Sequence, residues 1–282
     1  VFYIMHLSAP RLNVIGAAFP GLPGILIGRN EKMAWGITNG MIDDVDFFQL
    51  KPDSADPGKF IYNGQAMAFQ SRSERIKIKD RPDRIIHVLT TPYGPVMPAD
   101  SSGQARVCVR WTGHDMSDEL TAFHNIMTAG SWYEFRQAVR GCKCPGENFV
   151  YADQQGHIGY QLAAAVPVRN FPNPWKTVPD SLVNARWLGE IPFESLPSQY
   201  DPAAGRIVSA NQCMVDSACS YYISEYWEPD FRCQRIQQQL DSMATNATAT
   251  QMKLLQKDIY NPHAAWLVPR LLATLNRLAE SG

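Results

Sequence analysis

Three segments of the sequence put polar groups where chemistry could use them. The run PGLPGILIGRNEKMAWGITN, Pro20 to Asn39, has two turn-rich breaks around a strand and closes on Trp35-Gly36-Ile37-Thr38-Asn39. Glycine there lets a backbone approach another group closely; the plainer reading is a hairpin with a buried Trp35. Asp43, Asp44 and Asp46 flank Val45 at the mouth of a strand, and their mutual repulsion costs energy unless a cation or water screens it. Oxygen-only ligands favour calcium over a transition metal, but the EF-hand pattern is absent, and a solvated acidic turn is the alternative. Ile207-Val208-Ser209-Ala210-Asn211 reads as an apolar strand ending in an amide that can donate to an oxyanion. An Asn at a strand end also serves simply as a turn residue.

Other chemistries find little support. The histidines His6, His87, His114, His124, His157 and His263 show no HExxH or paired ligand spacing, and the sequence holds no GxSxG, P-loop or GxGxxG. Histidine-dependent triads and organic or dinucleotide cofactors are therefore disfavoured. Ser8 and Ser209 lie nearest the segments above, in contexts that would activate neither. The cysteines Cys108, Cys142, Cys144, Cys213, Cys219 and Cys233 contain no CxxC, so a zinc ribbon is not supported, while disulfides and free buried thiols both remain open.

Composition bounds the rest. A chain of 282 residues, 45% hydrophobic and 19% charged, is long enough for a real core, and its formal charge of -1 leaves no basic footprint for nucleic acid. No window reaches the roughly 18 consecutive apolar residues of a membrane span. The opening Val1-Phe2-Tyr3-Ile4-Met5-His6-Leu7 has no cationic region or cleavage site and starts in mid-strand, which leads us to expect a longer precursor.

The elements that must position these groups follow from periodicity. Short apolar or alternating runs over Phe2–Leu7, Leu12–Phe19, Gly24–Gly28, Met33–Thr38, Val45–Leu50, Arg75–Ile78, Ile85–Leu89 and Ala105–Trp111, punctuated by Pro, Gly, Asn and Asp, predict a sheet-rich part over 1–115. Helices near Asp118–Met127 and after a capping box at Ser131-Trp132-Tyr133-Glu134, then strands over Asn148–Ala152 and His157–Leu162, fill 116–165. A long Pro- and Trp-rich loop is expected over 166–205. A strand and helices fill 206–282: Asp230–Leu240, Met252–Ile259 behind a capping box at Thr248 to Gln251, and Ala264–Leu278 interrupted by Pro269.

The segment FYIMHLSAPRLNVIGAAFPGLPGILIGRNEKMAWGITN resembles the early β-subunit of the penicillin amidase family, with its HLSAP, PGLPG, IG-x-N and AWG-x-TN blocks. Further blocks follow in the family's order along the whole chain: Asp43 to Asp46, Tyr93-Gly94-Pro95-Val96, Asn148 to Asp153 with His157 to Tyr160, Pro167-Val168-Arg169, Ile191 to Glu194, Ser209-Ala210-Asn211, Arg232 with Arg235-Ile236, and Met252 to Asp258. The resemblance implies an α+β fold, part of an N-terminal-nucleophile (Ntn) hydrolase αββα four-layer sandwich that is mostly antiparallel sheet with C-terminal helices. It implies a partial domain over 1–282. It also implies hydrolysis of a linear amide, penicillin-type or another N-acyl substrate, through an acyl-enzyme whose nucleophile is an N-terminal Ser, Cys or Thr with its own amine as base.

Carried onto this sequence, the resemblance makes the Asn39 backbone N–H and the Asn211 side chain the oxyanion donors, with Arg232 organising the site around Asn211. In calcium-binding members the acidic turn supplies ligands, which would place Asp43, the Val45 carbonyl and Asp46 at a structural Ca2+, with Pro174 a weaker carbonyl candidate; no acidic counterpart of a later ligand stands between Asp216 and Glu225. It further implies partnership with an α-subunit and the remainder of the β-subunit, and export to the periplasm. Val1 has neither hydroxyl nor thiol, so the isolated chain is expected to be inactive. Two rival expectations stand beside this one: a non-catalytic binding or scaffold domain on the same fold and, within the enzyme class, an acyl-homoserine-lactone acylase.

Overall fold

The computed structural model describes residues 2–56, 58–98, 106–182, 184–243 and 247–281. In chain order the strands are β1 (Tyr3–Ala9), β2 (Leu12–Ala18), β3 (Ile27–Arg29), β4 (Met33–Asn39), β5 (Val45–Gln49), β6 (Lys59–Tyr62), β7 (Gln65–Ala68), β8 (Gln70–Ile76), β9 (Arg84–Thr91), β10 (Gly94–Pro95) and β11 (Val107–Trp111). Helices α1 (Glu119–Thr128) and α2 (Trp132–Val139) come next, then β12 (Glu147–Asp153), β13 (Ile158–Ala163), β14 (Pro167–Arg169), β15 (Trp187–Glu190) and β16 (Ser198–Tyr200). Helices α3 (Phe231–Asp241), α4 (Ala249–Leu255) and α5 (Pro262–Ser281) close the chain.

A seven-stranded antiparallel sheet, ordered β1-β2-β3-β4-β12-β13-β16, is the frame. Because side chains alternate across a strand, β4 sends Trp35, Ile37 and Asn39 to one face and Thr38 to the other. The first face is covered by α1 and α2. Phe123, Ile126, Phe135 and Val139 pack there on Trp35, Phe149 and Tyr151, each large apolar side chain contributing about 1.5–3 kcal/mol of burial. Trp35 is buried, and its indole N–H donates to the Leu26 carbonyl at 2.9 Å, a partner such a group needs when it leaves water. The second face carries Tyr160 and Leu162 against Val166, Ile191, Leu196 and Ile223. A separate cluster around Phe48, Phe60, Cys108 and Phe171 sits among the smaller strand pairs.

The fold is thus α+β, mostly antiparallel, with helices at the C-terminal end. Local signals are realised closely in places. Asn63 and Gly64 form the two-residue β6–β7 turn with φ of 49° and 77°, the left-handed pair such a hairpin needs. Thr248 and Gln251 make the reciprocal capping box of α4. Gly16 and Gly28 face each other across β2 and β3, and a Cβ on Gly16 would stand 2.1 Å from the Ile27 carbonyl oxygen, so the close strand approach requires glycine there.

Other expectations are corrected. Ser131 caps α2 through the Glu134 N–H, but the Glu134 carboxylate accepts from Gly130 N–H rather than returning to Ser131. The 166–205 stretch is not a bare loop: β14 and β15 pair across it with a bulge between Val168 and Arg169, and β16 joins the main sheet. Strands of three or four residues are too short for periodicity to register. Met252–Ile259 is helical only to Leu255, and α5 runs unbroken through Pro269, since Pro removes a single N–H and the carbonyl it frees lies on an exposed helix. The 105–111 strand is described from 106 and pairs with β5 from Val107. All six cysteines are free.

Candidate functional site

The end of β4 gathers the polar groups. In the β4–β12 ladder the Gly40 N–H donates to the Gly146 carbonyl at 2.9 Å, and Asn39 pairs with Glu147 one step before. Antiparallel pairs alternate between hydrogen-bonded and open, so both the N–H and the carbonyl of Asn39 are turned away from the β12 backbone. Its carbonyl accepts two side-chain amides instead, Asn211 Nδ2 at 3.0 Å and Asn148 Nδ2 at 3.1 Å. The Asn211 amide nitrogen therefore lies on the side toward which the Asn39 N–H points, and it keeps a second N–H beyond the one spent on Asn39.

Asn211 is held from behind. Its Oδ1 accepts from Arg232 Nη2 at 2.8 Å, and its carbonyl accepts the Glu228 N–H at 3.0 Å. Its backbone sits at φ 66°, a left-handed conformation that asparagine tolerates better than most residues. The preceding residues 207–210 form no strand ladder, contrary to the sequence reading. Gln212 folds this segment instead, accepting from the Ala210 N–H at 2.7 Å and donating to the Val208 carbonyl at 2.8 Å. Ser209 Oγ meets Thr38 Oγ1 at 2.5 Å, tying the segment to the sheet.

A buried layer below completes the wall. Tyr160 OH donates to Asn148 Oδ1 at 2.8 Å, and Asn148 Nδ2 reaches Thr38 Oγ1 at 3.3 Å as well as the Asn39 carbonyl. Burial pushes the Tyr160 phenol well above its usual pKa, so it stays a donor. Sequence reasoning assigned no role to Thr38, Asn148 or Tyr160, although all three sit inside matched blocks, Thr38 in AWG-x-TN and the others between Asn148 and Tyr160. Ser8 pairs with Asn13 at the opposite end of the sheet.

The acidic turn resolves differently from a solvated loop. Arg169, also unassigned from sequence, drives a nearly buried guanidinium between two of its carboxylates. Nε donates to Asp46 Oδ2 at 2.7 Å, and Nη2 donates to the Asp43 carbonyl at 2.8 Å and lies 3.4 Å from Asp43 Oδ1. Trp187 Nε1 donates to the same Asp46 oxygen at 2.5 Å, and Tyr222 OH donates to Asp43 Oδ2 at 2.8 Å. Burial raises the Asp43 carboxyl above the usual range despite the opposing pull of Arg169. Asp44 turns elsewhere, to Trp111 Nε1 and Thr112 Oγ1.

The structure brings Asp43, Val45 and Pro174 to one cavity of about 600 Å³ that Asn39 also lines; Asp46 points inward, away from it. For calcium the donor set fits in part. Asp46 Oδ1 is a buried acceptor without a hydrogen-bond partner, the kind of atom a cation would take. Against that, among the described residues no group of three or more His, Cys, Asp or Glu gathers for a metal, and Ca2+ takes six to eight oxygens.

The fold, α+β and mostly antiparallel, is of the Ntn-hydrolase type. The chain belongs to the penicillin amidase family: the Penicillin amidase model matches residues 1–281. It is 30% identical over 274 residues to the penicillin acylase 2 proenzyme of Pseudomonas sp. (strain SE83), covering 95% of this chain and 35% of that protein. It is 25% identical over 279 residues to the acyl-homoserine lactone acylase QuiP of Pseudomonas aeruginosa, covering 90% of this chain and 31% of that one. A thermostable penicillin G acylase structure from Alcaligenes faecalis superposes with a TM-score of 0.75 at 27% identity, over 86% of this chain and 44% of that chain. The chain thus spans about a third of the length of these curated relatives.

Proposed function

We propose that the protein to which these residues belong hydrolyses linear N-acyl amides by acyl transfer, with the Asn39 N–H and the Asn211 side-chain amide receiving the oxyanion. The observation that carries this reading is the hydrogen-bonded line from Arg232 through Asn211 to Asn39. A carbonyl oxygen placed at the Asn39 N–H also comes within reach of the free Asn211 N–H. Two preorganised donors at a developing charge are the main means by which such sites accelerate acyl transfer. Arg232 acts as a positioning residue, since it touches Asn211 Oδ1 and points the opposite, amide end at the wall.

The nucleophile is the part of this chemistry that residues 1–282 do not assign, and the isolated chain is accordingly proposed to be inert. Its proposed partners are an α-subunit and the remainder of the β-subunit, in the periplasm. A structural Ca2+ would be held by the Asp43 carboxylate with the Val45 and Pro174 carbonyls at the cavity, Asp46 joining them only by turning from Arg169 toward it, and would stiffen the turn after the proposed oxyanion strand. Similarity to both penicillin acylases and acyl-homoserine-lactone acylases supports amide cleavage in common and leaves the acyl group as the variable.

The test is turnover of chromogenic phenylacetyl and fatty-acyl amides by the complete processed protein and by this chain alone. Hydrolysis by the complete protein is expected, with none by the chain. An inert, correctly processed protein would overturn the hydrolase reading in favour of a binding scaffold.

A further inference from the structure

Glu147 is the direct cross-strand partner of Asn39 on one side and of Ala163 on the other. Directly opposed residues of an antiparallel pair present their side chains on one face, with Cβ atoms about 4.5–5.5 Å apart. The carboxyl therefore rises beside the Asn39 side chain, on the face that Ile37 and Phe149 also occupy. Its surroundings are apolar: Phe149, Ala163 and Cys142 are buried, and Cys142 lies close enough for the Glu147 charge to help hold its thiol protonated.

Glu147 is partly buried, and among the described residues nothing donates a hydrogen bond or an ion pair to it. A carboxylate can take about four such bonds, and the Glu147 oxygens, which are not among the fully buried unpartnered atoms, have only solvent to supply them. A fold that needed only packing here would be served better by a leucine. Two neighbouring carboxylates do have donors: Glu119 accepts from the Lys143 and Cys144 N–H groups, and Glu190 from Lys143 Nζ. An acceptor left free, one strand away from the proposed oxyanion donor, is suited to a donor on the substrate. The Asn39 N–H points off β12, so the oxyanion lies across β4 from Glu147, and with strands about 4.8 Å apart an acyl chain must pass back over β4 on this face to bring its donor to the carboxyl.

We propose that Glu147 sets acyl specificity, selecting amides whose acyl chain carries an ammonium group close to the carbonyl. This rests on the amide-hydrolase reading and adds to it the class of acyl group. Burial holds the free carboxyl up at a pKa of about 7, and a bound ammonium would favour its charged form.

The experiment compares kcat/KM of the complete processed enzyme for the 3-aminopropanoyl and butanoyl amides of one chromogenic amine, which differ only by ammonium in place of methyl. The ratio is expected to favour the ammonium substrate and to fall at least tenfold in both Glu147→Gln and Glu147→Leu, the scale of a lost hydrogen bond to a charged group. A wild-type ratio at or below one, or a ratio unchanged in folded variants, overturns the inference. Where a variant fails to melt cooperatively, the wild-type ratio still decides. Enzyme inert toward every acyl amide tested would instead sink the hydrolase reading, and this inference with it; turnover of butanoyl amide with indifference to ammonium overturns the specificity claim alone.

Discussion

Asn211 Nδ2 donates to the Asn39 carbonyl at 3.0 Å across 172 positions of sequence, while its Oδ1 accepts from Arg232 at 2.8 Å. One amide thus joins the central strand to helix α3. Both ends of Asn211 are engaged, which fixes its rotamer and its orientation in a single arrangement.

If Asn211 is the oxyanion donor proposed above, Asn211→Ala in the complete protein should lower kcat by about 100- to 1000-fold, the usual effect of removing one such donor. Arg232→Ala should lower it less, since Arg232 works through Asn211. The double variant should be no worse than Asn211→Ala alone. Steady-state kinetics of the three variants check this; additive losses would mean that Arg232 touches substrate directly.

Arg169→Met should destabilise the chain by about 3–5 kcal/mol, because it leaves the Asp46 carboxylate buried and unpaired. Adding Asp46→Asn should recover part of that loss, since the neutral amide no longer needs the guanidinium. Urea denaturation of the single and double variants measures both effects. A single variant within 1 kcal/mol of wild type, a size ordinary for surface changes, would mean that Arg169 is dispensable.

If calcium binds at the acidic turn, chelation by EDTA should lower the melting temperature of the complete protein and added Ca2+ should restore it. Asp46→Ala should melt at one temperature in both conditions. A wild-type transition indifferent to EDTA would leave Arg169 as the sole cation serving Asp43 and Asp46.

Glu147 makes stability depend on pH. Its carboxyl ionises at about 7 in the folded chain against a reference of 4.5. The unfolded state therefore releases its proton first as pH rises, and stability is lost progressively from about 4.5 through 7. Cys142 stays protonated across that window, its thiol raised to about 12 by burial and by the Glu119 and Glu147 charges; for Glu119, burial pulls the carboxyl up, but its hydrogen bonds outweigh that and hold it below its usual value. Glu147→Gln should melt higher than wild type at pH 8 and differ little at pH 4. Equal melting temperatures at pH 8 would show that Glu147 is solvated.

Most of the element order was legible in the sequence, because strand alternation, the Asn63-Gly64 turn and the Thr248 capping box are local matters. The 207–211 segment was misread as a strand because an apolar run cannot reveal that Gln212 would satisfy its backbone from within. The short pair β14 and β15 was hidden in the Pro- and Trp-rich stretch for want of length. Asn39, Asn211 and Arg232 could be singled out only through the ordered family blocks; no spacing rule joins residues so far apart.

What the sequence settled by itself is therefore the family, the α+β order of its elements and the residue types available to the site. Tertiary structure decided which groups meet. Register made Asn39 and Glu147 neighbours and turned the Asn39 N–H off the β12 ladder. Chain packing brought Arg169 to Asp46 across 123 positions. Both depend on contacts between distant segments, where a shift of one residue would exchange the two faces of every strand.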